Sequence, residues 1–383
     1  MINTLYIHAG SHKTGSTSIQ RFLRINQDAL REDGIAIPGL KGILKPTPDL
    51  TNYGLYPQAF HALARVRQPI AIISRENFSW VDDINKLMAL RDVLYKHAHK
   101  VKIIFYLRRQ DSLAISQKQE GTKWFDCSVA YGHEPTALPS KLSEVARRYL
   151  DFEQKVSMWA KVFAKDNIIL RVFEPQHLVE CDVVKDFCYV LGLQPDYYQF
   201  PEKANESLGR ISQLFLHQSQ PAFADGSIAR HRLIRAVRDF DRRNNNNDDK
   251  LLPDKDEAIA FYQQFKAANA RLNQDYKLTD SEHLFNEDFS QYPELGNGRM
   301  LTLGEINEIY ADLFADFSFV DSDEDGQWKR KQSAQLRDIA LSLPPQCLSQ
   351  KIQLLTLALQ LNPNGQYIRQ QLTQLTAQTM VEQ

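Results

Sequence analysis

Short apolar runs alternate with helical stretches over the first 200 residues of this 383-residue chain. Four runs are rich in β-branched and aromatic residues and lack period-two alternation, which predicts strands covered on both faces. They are residues 2–7, 69–74, 101–107 and 167–173. Helical periodicity lies between them at residues 18–30, 82–97 and 142–163. Such alternation predicts an α/β fold with three layers, α/β/α, a central parallel sheet and right-handed crossovers.

Composition narrows the class of protein. Hydrophobic residues make up 43% of the chain and the formal net charge is −1, which excludes disorder over most of the length and disfavours a nucleic-acid partner. The four cysteines show no CxxC spacing, so neither a zinc ribbon nor a disulfide scaffold is expected. The first residues lack a signal-peptide pattern and no apolar run approaches about 20 residues. We therefore expect a cytoplasmic protein that does not span a membrane.

Beyond residue 200 the predicted strands stop and helical patterns continue. They lie at residues 207–217, 229–243 and 257–272. Two further amphipathic helices flank residues 361–365 and loosely resemble one tetratricopeptide hairpin at about 333–383. We predict a first domain over residues 1–285 and a helical C-terminal extension over residues 286–383. Because a single repeat unit cannot bury its own face, the hairpin is expected to pack on the main body or on a protein partner.

The first predicted strand runs into a turn of small residues that opens directly into a helix. Residues 9–18 read Ala-Gly-Ser-His-Lys-Thr-Gly-Ser-Thr-Ser. Small residues let the backbone wrap an anion, and a helix N-terminus offers unpaired N–H groups and a positive dipole end. The candidate phosphate-binding residues are Gly10, His12, Lys13, Thr14, Gly15, Ser16, Thr17 and Ser18. A Walker A loop is excluded, since its lysine follows the second glycine and Lys13 precedes Gly15.

Charged residues follow the second and third predicted strands, at the sheet edge where α/β folds bind ligands. Glu76 follows the strand at residues 69–74, and a carboxylate there can accept a proton in a transfer reaction. It can instead pair with Arg75 or Lys13 and only organise the site. His8 and His12 are rival bases. Arg108 leaves the strand at residues 101–107.

Two features of the chain resemble those of bacterial sulfotransferases that use 3′-phosphoadenosine-5′-phosphosulfate (PAPS). One is Lys-Thr-Gly-Ser-Thr at residues 13–17, and the other is Ser116, which follows Arg108 by eight residues. The resemblance covers about residues 1–275 and is nearest to the carbohydrate sulfotransferases. It implies the P-loop nucleotide-kinase type of fold, PAPS as donor, 3′-phosphoadenosine-5′-phosphate (PAP) as product, and no required metal. It also implies that Arg108 and Ser116 bind the 3′-phosphate. Arg109-Gln110 stands where many members have Asn-Pro, so whether Arg109 shares or replaces the work of Arg108 is left open.

The same resemblance implies a chemistry and an acceptor. Sulfuryl transfer would proceed by in-line displacement, with Lys13 stabilising the leaving oxygen and Glu76 acting as general base. The acceptor would be a hydroxyl or amine of a saccharide or glycoconjugate. Aromatic residues in the irregular segment 121–140 either stack on sugars or pack as a loop: Trp124, Phe125, Tyr131 and His133.

Six arginines at helical spacing form a second candidate acceptor surface: Arg230, Arg232, Arg235, Arg238, Arg242 and Arg243. They form either a basic face for an anionic polysaccharide, or a solvated face or salt bridges with Asp239 and Asp241. Two other functions remain open. One is an ATP-dependent small-molecule kinase on the same fold, for which the Walker lysine is out of register. The other is a non-catalytic helical interaction protein that works through its C-terminal hairpin.

Overall fold

The computed structural model describes most of the chain and divides it into two compact units. The described residues are 1–39, 44–46, 53–55, 57–124, 128–132, 134–202, 207–222, 227–244, 249–313, 323–345 and 347–381. The first unit comprises Met1–Gly121, Cys127–Ser207 and Leu251–Arg299. The second comprises Thr122–Asp126, Leu208–Lys250 and Met300–Gln383. The predicted division after residue 285 does not follow this partition, and as a domain boundary it stays a prediction.

Both strands and helices occur up to residue 200, and the described elements after it are all helices. The elements before residue 200 are β1 (Ile2–Gly10), α1 (Ser16–Ile25), α2 (Gln27–Glu32), β2 (Ile35–Ala36), β3 (Leu44–Pro46), β4 (Tyr53–Leu55), β5 (Ile70–Ser74), α3 (Ile84–Leu94), β6 (Ala98–Leu107), α4 (Gln110–Trp124), α5 (Ser128–Tyr131), α6 (Glu144–Leu150), α7 (Phe152–Phe163), β7 (Ile168–Val172) and α8 (Val183–Leu191). The helices after it are α9 (Arg210–Ser219), α10 (Ile228–Asn244), α11 (Lys255–Tyr276), α12 (Leu303–Leu313), α13 (Asp323–Ser342), α14 (Leu348–Leu361) and α15 (Gln366–Val381). Over the residues described, none of these helices has both the length and the apolar character that a bilayer crossing requires.

A five-stranded parallel sheet forms the centre of the first unit. Its strand order is β2-β5-β1-β6-β7, and each neighbouring pair is parallel. Ile7 of β1 lies opposite Ile73 of β5 on one side and Ile103 of β6 on the other. Strands β3 and β4 pair separately as an antiparallel ribbon. The predicted parallel sheet is confirmed, while β2, with two residues, is too short to give a sequence pattern.

Helices cover both faces of this sheet. On β6, Ile103 and Phe105 belong to a large apolar cluster that includes residues of α3, α7 and α11. The alternate residues Ile104 and Tyr106 belong to a second cluster with residues of α1, α2 and α8. Because both sets are buried, the strand reads as an unbroken apolar run instead of an alternating one. The three-layer α/β fold is therefore confirmed.

Two predicted helices are each divided in the structure. The helix predicted at residues 18–30 is α1 and α2, and Asn26 between them donates through its side chain to the carbonyl oxygens of Phe22 and Gln199. The helix predicted at residues 142–163 is α6 and α7. Asp151 separates them and caps α7, since its carboxylate accepts from the N–H of Gln154. Apolar periodicity continues across both breaks, which hides them in the sequence.

The described secondary-structure elements of the second unit are all helices. Leu216 of α9 packs with Ile234 and Val237 of α10. A separate apolar cluster joins Leu336 of α13, Leu355 of α14 and side chains of α15. Helix α14 ends at Leu361 and α15 begins at Gln366, around the predicted turn. The first helix of the predicted hairpin, from about residue 333, is divided in the structure: α13 ends at Ser342, and α14, which contacts it, begins at Leu348.

Candidate active site

The turn after β1 approaches two other segments so closely that it needs glycine at two positions. Gly10 and Gly15 have φ angles of 97° and 78°, in the region that favours glycine. A Cβ at Gly15 would lie 2.6 Å from Cγ1 of Val183, the first residue of α8. A Cβ at Gly10 would lie 3.1 Å from Cα of Glu76. These glycines therefore bring Glu76 and the start of α8 against the turn.

Helix α1 begins at this turn with its N-terminus open to an anion. Its N-cap residue is Gly15, no side chain caps it among the described residues, and no acidic residue lies in its first turn. Ser16 is buried, Ser18 is half-buried and Thr17 is exposed, while Thr14 Oγ1 donates to the carbonyl oxygen of Ser11 at 2.6 Å. Uncapped N–H groups and the positive end of the helix dipole are the features that bind phosphate at helix N-termini.

Arg108, which follows β6, reaches this turn. Its Nη1 donates to the carbonyl oxygen of Lys13 at 2.9 Å, and Nε and Nη2 donate to Ser112 Oγ at 2.9 and 2.7 Å. The Lys13 ammonium lies 3.1 Å from Glu120 Oε2. Burial lowers the pKa of the Arg108 guanidinium, which makes an anion beside it more favourable. The two basic residues predicted to serve one ligand thus lie in one site.

One face of α4 lines this pair. Ser112, Ser116 and Glu120 are spaced by four residues and therefore lie on the same side of the helix. Ser112 holds Arg108 and Glu120 holds Lys13, so Ser116 is placed between the two contacts. Ser116 itself is half-buried. Sequence reasoning missed Ser112 and Glu120, although their four-residue spacing from Ser116 was a usable signal.

Arg109 is held by a different part of the first unit. Its Nε and Nη2 donate to the Asp111 carboxylate at 2.9 and 3.0 Å, and its Nη1 donates to the carbonyl oxygens of Asn286 and Asp288. The guanidinium also lies 4.1 Å from the ring centroid of Phe289. The partners of Arg109 thus lie on Asp111 and on the segment after α11, whereas Arg108 contacts the Lys13 turn.

Glu76 begins a 3₁₀ turn, Glu76–Trp80, directly after β5. Gln20 of α1 donates through Nε2 to Glu76 Oε2 at 2.5 Å. The alternative pairing with Lys13 is not observed, because the Lys13 ammonium donates to Glu120. Glu76 as a whole residue is half-buried.

The two rival bases lie near Glu76 and are neutral at pH 7. Burial lowers the pKa of His8 to about 4, against a smaller opposite effect of the Glu76 charge. Burial also lowers the pKa of His12 to about 4. His8 is fully buried and shares a hydrogen bond through Nδ1 with Ser74 Oγ at 2.7 Å, so an acceptor cannot touch it.

Over the described residues, no three His, Cys, Asp or Glu side chains are grouped as a metal site.

Tyr149, which sequence reasoning missed, joins the turn to the segment that carries Glu76. Its hydroxyl accepts from the N–H of His12 at 3.1 Å and lies 3.1 Å from Ser79 Oγ. The Trp80 ring lies 3.9 Å from its ring, centroid to centroid, and the Lys155 ammonium lies 3.8 Å from its ring centroid. Burial raises the pKa of Tyr149 to about 12 and lowers that of Lys155 to about 7. No local sequence pattern marks this contact, which depends on tertiary packing.

The aromatic residues proposed for acceptor binding are described only in part. Phe125, His133 and the side chain of Trp124 lie outside the described residues. Tyr131 is 2% exposed and its hydroxyl donates to Gln117 Oε1. Of the two alternatives for this segment, the packed loop therefore holds for Tyr131, because its ring is buried inside the first unit.

The six arginines of α10 differ in exposure: Arg232, Arg235, Arg242 and Arg243 are exposed, whereas Arg230 is buried. Arg230 is 5% exposed and donates to main-chain carbonyl oxygens. Arg242 pairs with Asp239 at 2.7 Å, which agrees with the predicted salt bridge to Asp239. Asp241 is buried and accepts from the N–H of Gly209, so it serves α9 instead of an arginine.

Comparisons with known proteins give limited similarity. No family model matches the chain. An uncharacterized protein of Archaeoglobus fulgidus is 25% identical over 218 residues, which is 57% of this chain and 56% of that protein. The match thus spans about half the length of this relative. The crystal structure of a sulfotransferase from Alicyclobacillus acidocaldarius superposes with a TM-score of 0.34, at 17% identity, over 61% of this chain and 97% of that one.

Proposed function

We propose that this protein is a sulfotransferase that moves a sulfuryl group from PAPS to a hydroxyl or amine of an acceptor. The observation that carries the proposal is the contact between Arg108 and Lys13, with 2.9 Å between Nη1 and the carbonyl oxygen. PAPS carries anionic groups on both the 5′ and 3′ oxygens of its ribose, so its site needs two basic positions close together. In the proposal the turn and the start of α1 hold the 5′ end, and Arg108 with Ser116 holds the 3′-phosphate.

The residues present fit such a donor. The α1 N-terminus supplies uncapped N–H groups, the turn supplies hydroxyls, and Lys13 and Arg108 supply positive charge. The Lys13–Glu120 ion pair has 30% of each side chain exposed. Solvent therefore reaches both partners, and Lys13 can exchange Glu120 for an anionic oxygen of the donor while the released carboxylate is hydrated.

The proposed reaction is a single displacement at sulfur. The bond between sulfur and the bridging oxygen of PAPS breaks while the acceptor oxygen or nitrogen bonds to the same sulfur. Negative charge grows on the bridging oxygen, by analogy with loose phosphoryl transfer, and Lys13 stabilises it. PAP leaves with that oxygen, and the product is the sulfated acceptor.

Glu76 is the proposed general base, which takes the proton that the acceptor loses. The residue is half-buried and its carboxylate is held by Gln20, whereas His8 is fully buried and cannot reach an acceptor. The ring nitrogen Nε2 of His12 is also buried and has no hydrogen-bond partner among the described residues. We propose a saccharide or glycoconjugate as acceptor, which rests on the sequence resemblance to carbohydrate sulfotransferases.

Ligand binding and turnover test this function. Thermal unfolding should shift upward with PAP and not with ATP plus magnesium, since a ligand at 100 times its Kd adds about 2.7 kcal/mol. Transfer of ³⁵S from labelled PAPS to a panel of saccharides should then fall about a hundredfold in Lys13→Ala. The control is Lys96→Ala, an exposed lysine before β6, which should keep full activity. A shift with ATP plus magnesium and none with PAP would establish the kinase alternative instead.

A further inference from the structure

The second unit contains a cavity that the proposed transfer reaction does not use. It lies between α9, α10, α12, α13 and α14 and has a volume of about 470 Å³. That volume falls in the range of roughly 300–1,000 Å³ that is usual for small-molecule sites. The cavity is therefore large enough for an organic ligand.

The inner lining of the cavity is apolar. Leu336, Leu343 and Leu354 line it and are each buried, with Phe215 and Leu357 as further hydrophobic lining residues. Water inside an apolar cavity finds few hydrogen-bond partners, so replacing it by an apolar ligand is favourable. The lining thus favours a ligand with a hydrocarbon body.

The lining contains no charged side chain among the residues that the structure describes. Its hydroxyl and amide side chains are Ser219, Tyr310 and five glutamines: Gln218, Gln332, Gln335, Gln350 and Gln360. Gln335, Gln350 and Gln360 are exposed, so their amides lie at the solvent side of the cavity. An amide is neutral and offers both donors and an acceptor, which suits a hydroxyl or carbonyl group. A carboxylate or ammonium would lose its hydration without gaining a counter-ion.

We propose that this cavity binds an uncharged, mainly apolar small molecule that carries a hydroxyl or carbonyl group, such as a medium-chain aliphatic alcohol. The hydrocarbon part lies among the leucines and the polar group meets the glutamine amides. The proposal needs no step of sulfuryl transfer and stands independently of that function.

Cys347 provides a direct readout, because its thiol lines the cavity and is partly exposed. The full-length protein is labelled with a maleimide, with and without decan-1-ol below its solubility limit, and labelling at each cysteine is followed by mass spectrometry. Cys181, exposed in the first unit, is the internal control. Decan-1-ol should slow labelling of Cys347 at least fivefold and leave Cys181 unchanged, whereas decanoate at the same concentration should protect neither.

A variant that fills the cavity completes the test. Leu357→Trp should abolish the protection of Cys347 by decan-1-ol, and the matched Leu357→Met should retain it. If Leu357→Trp does not fold by circular dichroism, Leu233→Trp fills the same cavity from α10. The proposal is overturned if decan-1-ol leaves Cys347 labelling unchanged, if decanoate protects it equally, or if the folded tryptophan variant is still protected.

Discussion

Arg108 donates a hydrogen bond from Nη1 to the carbonyl oxygen of Lys13 across 2.9 Å, although 95 positions separate the two residues. Neighbouring parallel strands β1 and β6 end at the same edge of the sheet, which brings the turn after one strand to the residue after the other. Arg109, the next residue, turns instead toward Asp111 and the carbonyl oxygens of Asn286 and Asp288. Two adjacent arginines therefore have separable roles.

The first prediction separates these roles by lysine substitution. Arg108→Lys should weaken PAP binding by tenfold or more, because lysine cannot reproduce the guanidinium fork, and should change stability little. Arg109→Lys should lower the free energy of unfolding by about 1–3 kcal/mol and leave PAP affinity within threefold, because lysine cannot bind Asp111 with a fork and also reach the carbonyl oxygens of Asn286 and Asp288. Calorimetric titration and urea unfolding measure the two quantities. Equal weakening of PAP binding by both variants would show that Arg109 shares the phosphate.

The second prediction concerns the proposed base. Glu76→Gln keeps the shape of the side chain and removes its ability to accept a proton, so kcat should fall about a hundredfold or more. The Kd for PAP should stay within threefold, because the proposal gives Glu76 no contact with the donor. Gln20→Leu, which removes the hydrogen bond to Glu76, should have a smaller effect on kcat. Near-full activity of Glu76→Gln would move the base to another residue, with His12 the next to test.

The third prediction tests Tyr149 as a positioning residue. Tyr149→Phe leaves the His12 N–H and the Ser79 hydroxyl without their shared partner, which should cost about 1–3 kcal/mol of stability. It should also lower kcat by severalfold, since the turn and the Glu76 segment lose a common anchor. Tyr262→Phe is the matched control, because it removes a buried hydroxyl that contacts Glu287. If Tyr149 has only a structural role, Tyr149→Phe should lose stability as Tyr262→Phe does and keep the kcat of the unmodified protein.

The fourth prediction is a pH dependence of stability from the buried histidines. His8 and His12 have pKa values of about 4 in the folded protein, against an ordinary value of 6.5. Between pH 6.5 and 4 the unfolded chain therefore binds more protons, so the free energy of unfolding falls as the pH is lowered through this range. Above pH 6.5 this contribution is constant. The loss is at most about 3 kcal/mol for each histidine, at 1.36 kcal/mol per pKa unit.

Urea unfolding at pH 7.5, 6, 5 and 4.5 measures this dependence. His8→Gln should make the decline shallower than in the unmodified protein, with His12 still contributing. His99→Gln, at an exposed position on β6, should leave the decline unchanged. An identical decline in His8→Gln would mean that His8 is not held neutral in the folded state.

The sequence predicted the sheet and the residues at its carboxyl edge because those depend on local patterns. A buried strand reads as an apolar run, and the residue after it lies at the ligand edge whatever the rest of the chain does. This reasoning placed Lys13, Glu76 and Arg108 correctly at one edge. What they would bind is still a proposal.

The missed contacts depend on helix rotation and on distant segments. Whether Ser112 or Ser116 meets Arg108 is decided by which face α4 presents, and a spacing of eight residues does not decide it. The partners of Arg109 lie as far as 179 positions along the chain, after α11. Tyr149 belongs to a helix whose sequence shows only an ordinary apolar face. Packing of this kind has no local signature.

The contact of the turn with Val183 has a consequence for protein engineering. Because a methyl group on Gly15 would collide with Cγ1 of Val183, the curvature of the turn and the position of α8 are mutually dependent. Residues 10–18 therefore cannot be grafted onto another scaffold by themselves, since the grafted turn would lose its packing contact with Val183. A transplant has to carry the beginning of α8 with it, or a host helix that leaves the same gap.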